Sequence, residues 1–133
     1  MSIDWDESLN TGVEEMDADH RGLISLANSV QAAGQAGNQE DVLRLALEFS
    51  SYCDDHFVME EEFMRDIGYP QRMSHKSDHD QMLADLDKII GHVHSNIEAS
   101  TVMADFIYRW TANHMQVFER QLAEFVCARG DGG

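Results

Sequence analysis

Residues 56–64 read HFVMEEEFM and residues 75–79 read HKSDH. His56 and Glu60 stand four apart, as do His75 and His79, so on a helix both side chains of each pair can reach one ion or two neighbouring ions. His20 in MDADH and His114 in WTANH complete a set of five histidines that fall on otherwise apolar helical stripes. Burying an unpaired imidazole or carboxylate costs several kcal/mol, on the order of the usual penalty for buried polar groups. Neutral imidazoles cannot all donate to one another in an apolar core, but each carries a nitrogen lone pair able to bind a metal. Metal ligation is therefore the chemistry this pattern supports. HKSDH matches the zinc-protease pattern HExxH only in its histidines, since Lys76 stands where the catalytic Glu belongs. Five imidazoles with a carboxylate exceed a tetrahedral zinc site. Two first-row metals bridged by carboxylate would use them all, and imidazole with carboxylate suits iron.

Glycine and polar clusters divide the chain into an arm and four helical segments. A helix start is expected near Asp17, whose side chain can cap the first turn, and an end before AAGQAGNQE. The second segment runs from about Glu40 to Asp66 and stops at IGYP, where Pro70 disfavours helix at Tyr69 and then suits a new first turn. The third continues to about His94, and the fourth runs from near Ser100 to the tail ARGDGG.

Spacings of three and four give each helix one inward stripe. These are Met16, His20, Leu23, Ala27 and Val30; Val42, Ala46, Phe49, Cys53, His56, Glu60, Phe63 and Ile67; His75, His79, Met82, Leu86, Ile89 or Ile90, and Val93; and Met103, Ile107, Trp110, His114 and Val117. After Val117 the apolar positions slip to Phe118, Leu122 and Phe125. The expected fold is all-α, an up-down-up-down four-helix bundle with an N-terminal arm. Its boundaries are an arm at 1–16, a bundle at 17–128 and a flexible tail at 129–133, together one domain. The histidine heights place the site off-centre, toward the turn between the second and third helices.

The chain has 133 residues, 43% of them apolar, enough for one core. With 25 acidic and 9 basic residues the net charge is -16, which disfavours nucleic acid and anionic membrane surfaces as partners. No apolar run approaches the roughly 20 residues of a membrane span, and MSIDWDES lacks the pattern of a signal peptide, so a cytoplasmic location is expected. Cys53 and Cys127 read as free thiols in a reducing compartment, small residues of the core.

The stretches IDW, MDADH, HFVMEEEFM, GYPQRMSHKSDH and WTANHMQVFE together span nearly the whole chain. Their combination resembles the bacterial hemerythrins. The resemblance implies a four-helix bundle holding two non-haem iron ions, Fe2+ or Fe3+, joined by an oxo or hydroxo bridge, that bind O2 reversibly. It implies that His75, His79 and His114 hold one iron, that His20 and His56 hold the other and leave a position open for O2, and that Glu60 bridges the two. The family's second bridging carboxylate is an Asp five residues after the helix-four histidine, where this chain has Glu119. Five residues is about 140° around an α-helix, so an inward carboxylate there needs a local distortion such as a π-bulge, which the slipping apolar register fits. Glu119 can bridge, bind one iron only, or lie on the solvated surface. Leu23, Phe57 and Trp110 match apolar positions lining the family's O2 pocket, and Met115 replaces its usual Ile.

The function that follows is O2 carriage, storage or sensing without substrate turnover. The alternatives are a di-iron peroxidase or oxidase, and a regulatory module that responds to O2, NO, peroxide or redox state. Trp5 covers the site from the arm or simply packs. Glu61, Glu62, His92 and His94 are expected on solvated faces, and the RGD at Arg129 to Asp131 is a chance occurrence.

Overall fold

A computed structural model describes residues 2–129. The arm carries one 3-10 turn, Glu7–Leu9, capped by Asp6, whose carboxylate accepts from the Ser8 backbone N–H. Four helical rods follow: α1 (Glu14–Gln35), α2 (Gln39–Asp66), α3 (Arg72–Ser95), and a last one made of α4 (Ser100–His114), a π turn (Met115–Glu119) and α5 (Arg120–Arg129). The first and third rods each pack against the second and fourth, which is the expected up-down-up-down bundle. The tail's last residues, 130–133, and with them most of the RGD, lie outside the described residues; Arg129 itself ends α5 and donates to the Ile67 carbonyl. Among the described residues no helix is long and apolar enough to cross a membrane.

The turns follow local chemistry. Gly37 and Gly68 adopt φ of 73° and 67°, left-handed backbone that only glycine enters without a steric cost, and each ends a helix. Asn38 then caps α2, its side-chain oxygen accepting from the Asp41 N–H. Pro70 precedes α3 by two residues rather than sitting in its first turn. Helix α1 begins three residues before the expected start. Asp17 does not cap it: the carboxylate accepts from the backbone N–H groups of Thr11 and Gly12 and from the Thr11 hydroxyl, and so ties down the arm.

Most of the expected stripes are buried, including Ile90 rather than its neighbour Ile89 on α3. Phe63 and Ile67 are only half-buried; Met64 occupies the core, because a stripe of alternating fours and threes repeats every 3.5 residues and the 3.6-residue helix drifts past it. Trp110 is half-buried and Val117 is 42% exposed. Val117 is turned out by the π turn, which brings Met115 and Glu119 inward instead. Cys53 is fully buried, but Cys127 lies exposed on α5, with its thiol 3.4 Å from the Asn10 carbonyl. The apolar interior forms two clusters. The larger includes Leu23, Phe57 and Met115, and the smaller gathers Met64, Tyr69, Leu122 and Val126. Glu60 lies between Phe57 and Met64 on α2, and Glu119 between Met115 and Leu122 on the fourth rod, so a polar layer separates the two clusters.

Candidate metal centre

That layer contains His20, His56, Glu60, His75, His79, His114 and Glu119, each at most 3% exposed. His20 comes from the second turn of α1, His56 and Glu60 from successive turns of α2, and His75 and His79 from the start of α3. His114 is the last residue of α4 and Glu119 the last of the π turn. A straight α-helix would have left Glu119 well off the inward face; the wider turn rotates it back in. The position is off-centre, near the turn between α2 and α3, as the sequence predicts.

Glu60 is the hub. Its Oε2 lies 2.7 Å from His20 Nε2 and 3.7 Å from His56 Nε2, while its Oε1 lies 3.1 Å from both His75 Nε2 and His79 Nε2. One carboxylate oxygen therefore faces each set of histidines. Glu119 Oε2 lies 2.8 Å from His114 Nε2 and 3.4 Å from the Nε2 atoms of His20 and His75. Two overlapping groups result, with potential ligand atoms within 4.8 Å of one another: Glu60, His75, His79, His114 and Glu119, and His20, His56, Glu60 and Glu119.

Many of these atoms lack hydrogen bonds although they are sealed from water. His56 Nε2, His75 Nε2, Glu60 Oε1 and Glu119 Oε1 have none, the close approaches of His75 and His79 to Glu60 Oε1 being out of line for one. The Nε2 atoms of His79 and His114 meet at 3.3 Å. A buried polar atom left unpaired costs roughly 1–3 kcal/mol, and several together at one point are hard to retain unless a cation receives them. The donor set fits such a cation, since the atoms are imidazole nitrogens and carboxylate oxygens directed at common space.

The outer ring nitrogens of three histidines explain their orientation, while those of His20 and His75 have no hydrogen-bond partner among the described residues. His56 Nδ1 lies 3.0 Å from Asp19, His79 Nδ1 2.9 Å from Glu61, and His114 Nδ1 2.8 Å from Asp78. A carboxylate on Nδ1–H fixes the tautomer whose Nε2 lone pair faces inward. Glu61 is thus half-buried and engaged, not solvated as its position on the helix suggests; Glu62, His92 and His94 are exposed as expected. The sequence offers one faint signal for these three partners. Each acid directly adjoins a stripe residue, Asp19 before His20, Glu61 after Glu60 and Asp78 before His79, and each reaches the histidine of a neighbouring helix.

Burial by itself lowers the affinity of these imidazoles for protons, but the facing carboxylates outweigh it. His20 and His79 are raised, His56 is raised to about 9 by Glu60 and Glu119, and His75 to about 10 by Glu119 and Glu60. Burial and the Glu60 charge push Glu119 upward, yet His20, His75 and His114 bring it down to about 2; burial likewise pushes Glu60 upward, and His75 and His20 hold it well below the usual carboxylate range. Without metal His20, His56, His75 and His79 hold their protons more tightly than free imidazoles do, and a metal bound here would displace them.

The apolar residues expected around an O2 pocket lie on the larger-cluster side of the layer. Leu23, Phe57 and Met115 are buried there and Trp110 packs against them. Phe57 stacks on His79, ring centres 3.7 Å apart and 3° from parallel, and Trp110 stacks on His114 at 4.4 Å and 17°. Phe57 is farther from His56, at 6.1 Å. Trp5 does not lie over the centre. It stacks beneath the Arg21 guanidinium on the outer face of α1, in a shallow cavity that also includes Ile24 and Asn28.

The chain's similarities agree with this geometry. The family pattern described as the hemerythrin HHE cation binding domain matches residues 11–126. A bacteriohemerythrin of Stenotrophomonas maltophilia is 27% identical over 124 residues, which cover 93% of this chain and 81% of that protein. Bacteriohemerythrins of Pseudomonas aeruginosa and Clostridium acetobutylicum are each 23% identical, the first covering 97% of this chain and 90% of its own, the second 88% and 95%.

Proposed function

Since the chain belongs to the hemerythrin HHE cation-binding family, we propose that its polar layer holds two non-haem irons and binds O2 reversibly, for carriage, storage or sensing and without substrate turnover. The observation that carries this reading is the partition of ligand atoms into two groups that share Glu60 and Glu119. His75, His79 and His114 would hold one iron and His20 and His56 the other, with Glu60 and Glu119 available to both. The second group offers one histidine fewer, which would leave that iron able to take O2. When bound, a ferrous pair supplies the two electrons that O2 takes up and returns on release.

The protein's part is to hold, orient and exclude. Asp19, Glu61 and Asp78 keep three imidazoles turned inward. Phe57, stacked on His79, and Trp110, stacked on His114, restrict those rings to one orientation and keep water from that side of the layer. Leu23 and Met115 extend the same apolar wall.

The test is stoichiometry. Metal-free protein titrated anaerobically with ferrous iron at pH 7 is expected to take up two ions per chain, as the two ligand groups require. It should release protons as it does so, because His56 and His75 hold theirs up to about pH 9 and 10. Uptake of a single ion, or uptake without proton release, would contradict this reading.

A further inference from the structure

Of the three histidines whose Nδ1 meets a carboxylate, His56 alone among the described residues has a third group hydrogen-bonded behind it: the Tyr52 hydroxyl lies 3.4 Å from Asp19 Oδ1, while Asp19 Oδ2 takes the His56 Nδ1 at 3.0 Å. Tyr52 reaches that point by crossing α1 over Gly22. A Cβ built on Gly22 would stand 2.2 Å from the Tyr52 hydroxyl oxygen and 2.7 Å from the ring carbon bearing it. Gly22 lies in the middle of α1, where Ala is the better helix former, and its φ is not among the positive ones. Helix geometry therefore gives no reason for glycine at this position. The close approach of the phenol does.

We propose that Tyr52 acts as a positioning residue, dividing the Asp19 carboxylate between itself and His56 and so setting the donor strength of the imidazole, with Gly22 providing the space that makes the contact. This rests on the reading of His56 as an iron ligand. A carboxylate that accepts from two donors is a weaker acceptor for each, and the hydrogen bond on a ligand imidazole's outer nitrogen controls its basicity toward the metal. Tyr52 would thus restrain His56 on the side of the centre left open for O2. At 3.4 Å the hydroxyl contact is the longer of the two, and small ring displacements change it most.

The test uses metal-free protein labelled with 15N in histidine and reads the His56 Nδ1 proton by NMR at fixed pH. Tyr52→Phe, which leaves Asp19 wholly to His56, is expected to move that proton downfield. Gly22→Ala, which displaces the phenol without altering either partner, is expected to reproduce the shift. Asp19→Asn, which removes the charge, should move it upfield and weaken iron binding by ~10–100-fold, the usual cost of losing an outer-shell partner. Iron-loaded Tyr52→Phe and Gly22→Ala should then shift their visible bands alike and opposite to Asp19→Asn, whereas a merely structural role would move all three the same way. A His56 proton unmoved by Tyr52→Phe and Gly22→Ala would overturn the proposal. A proton that responds in a chain that takes up no iron would uphold the relay and refute the ligand reading.

Discussion

Replacing Glu60 by alanine is expected to remove essentially all iron from the protein. Glu60 is the residue whose two oxygens face different histidine sets, Oε2 toward His20 and His56 and Oε1 toward His75 and His79. Its loss deprives both positions of a charged ligand at once and leaves a void inside a fully buried layer. The fall in affinity should exceed the ~10–100-fold that follows loss of an outer hydrogen-bond partner. The metal-free variant should also unfold more readily, by about 3–5 kcal/mol, because imidazoles whose protons Glu60 stabilises would face the interior with only Glu119 opposite. Iron analysis and denaturant unfolding measure the two effects. The control is Glu62→Ala, an exposed acid two residues along the same helix, which should change neither. Retention of two irons by Glu60→Ala would refute the assignment of a shared carboxylate.

Glu119 is the second large effect and the sharper test of the site's unusual feature. The π turn places its Oε2 against His20, His75 and His114, so Glu119→Ala is expected to lose the greater part of the iron. Glu119→Asp restores the carboxylate but shortens its reach by one methylene, about 1.5 Å, the length of a carbon–carbon bond. It is expected to keep iron while shifting the absorption bands, since contacts already at 3.4 Å on the His20 and His75 sides would lengthen. If Glu119→Ala binds iron like the wild type with unchanged bands, the residue is not a ligand despite its burial.

The histidines were legible because α-helical periodicity is a within-helix signal. His20, His56, His75, His79 and His114 each fall on the stripe that their own helix must bury, and no tertiary information is needed to see it. Glu119 lay at the edge of that method. Regular geometry turns it away by about 140°, and the widened turn is signalled only by the family resemblance at this position and the slip from Val117 to Phe118; the π turn also explains why Val117 is exposed. Asp19, Glu61 and Asp78 were beyond it, because each contacts a histidine on another helix and a neighbour in sequence does not share a helix face. Asp17 departs from expectation for a related reason: an acid near a helix start suits a cap, but the Thr11 and Gly12 amides compete for it through a loop that periodicity does not describe. Cys127 looked like core by residue type alone, and its thiol instead reaches the Asn10 carbonyl on the arm.

A pair of irons held between the two ligand groups should bind O2 reversibly. The most direct measurement loads the protein with ferrous iron without air, then follows its visible and near-ultraviolet spectrum as O2 is admitted and withdrawn. New bands that rise with O2, vanish on its removal and return over repeated cycles are the expected result. Bands that form once and do not reverse, with the iron left oxidised, would contradict it.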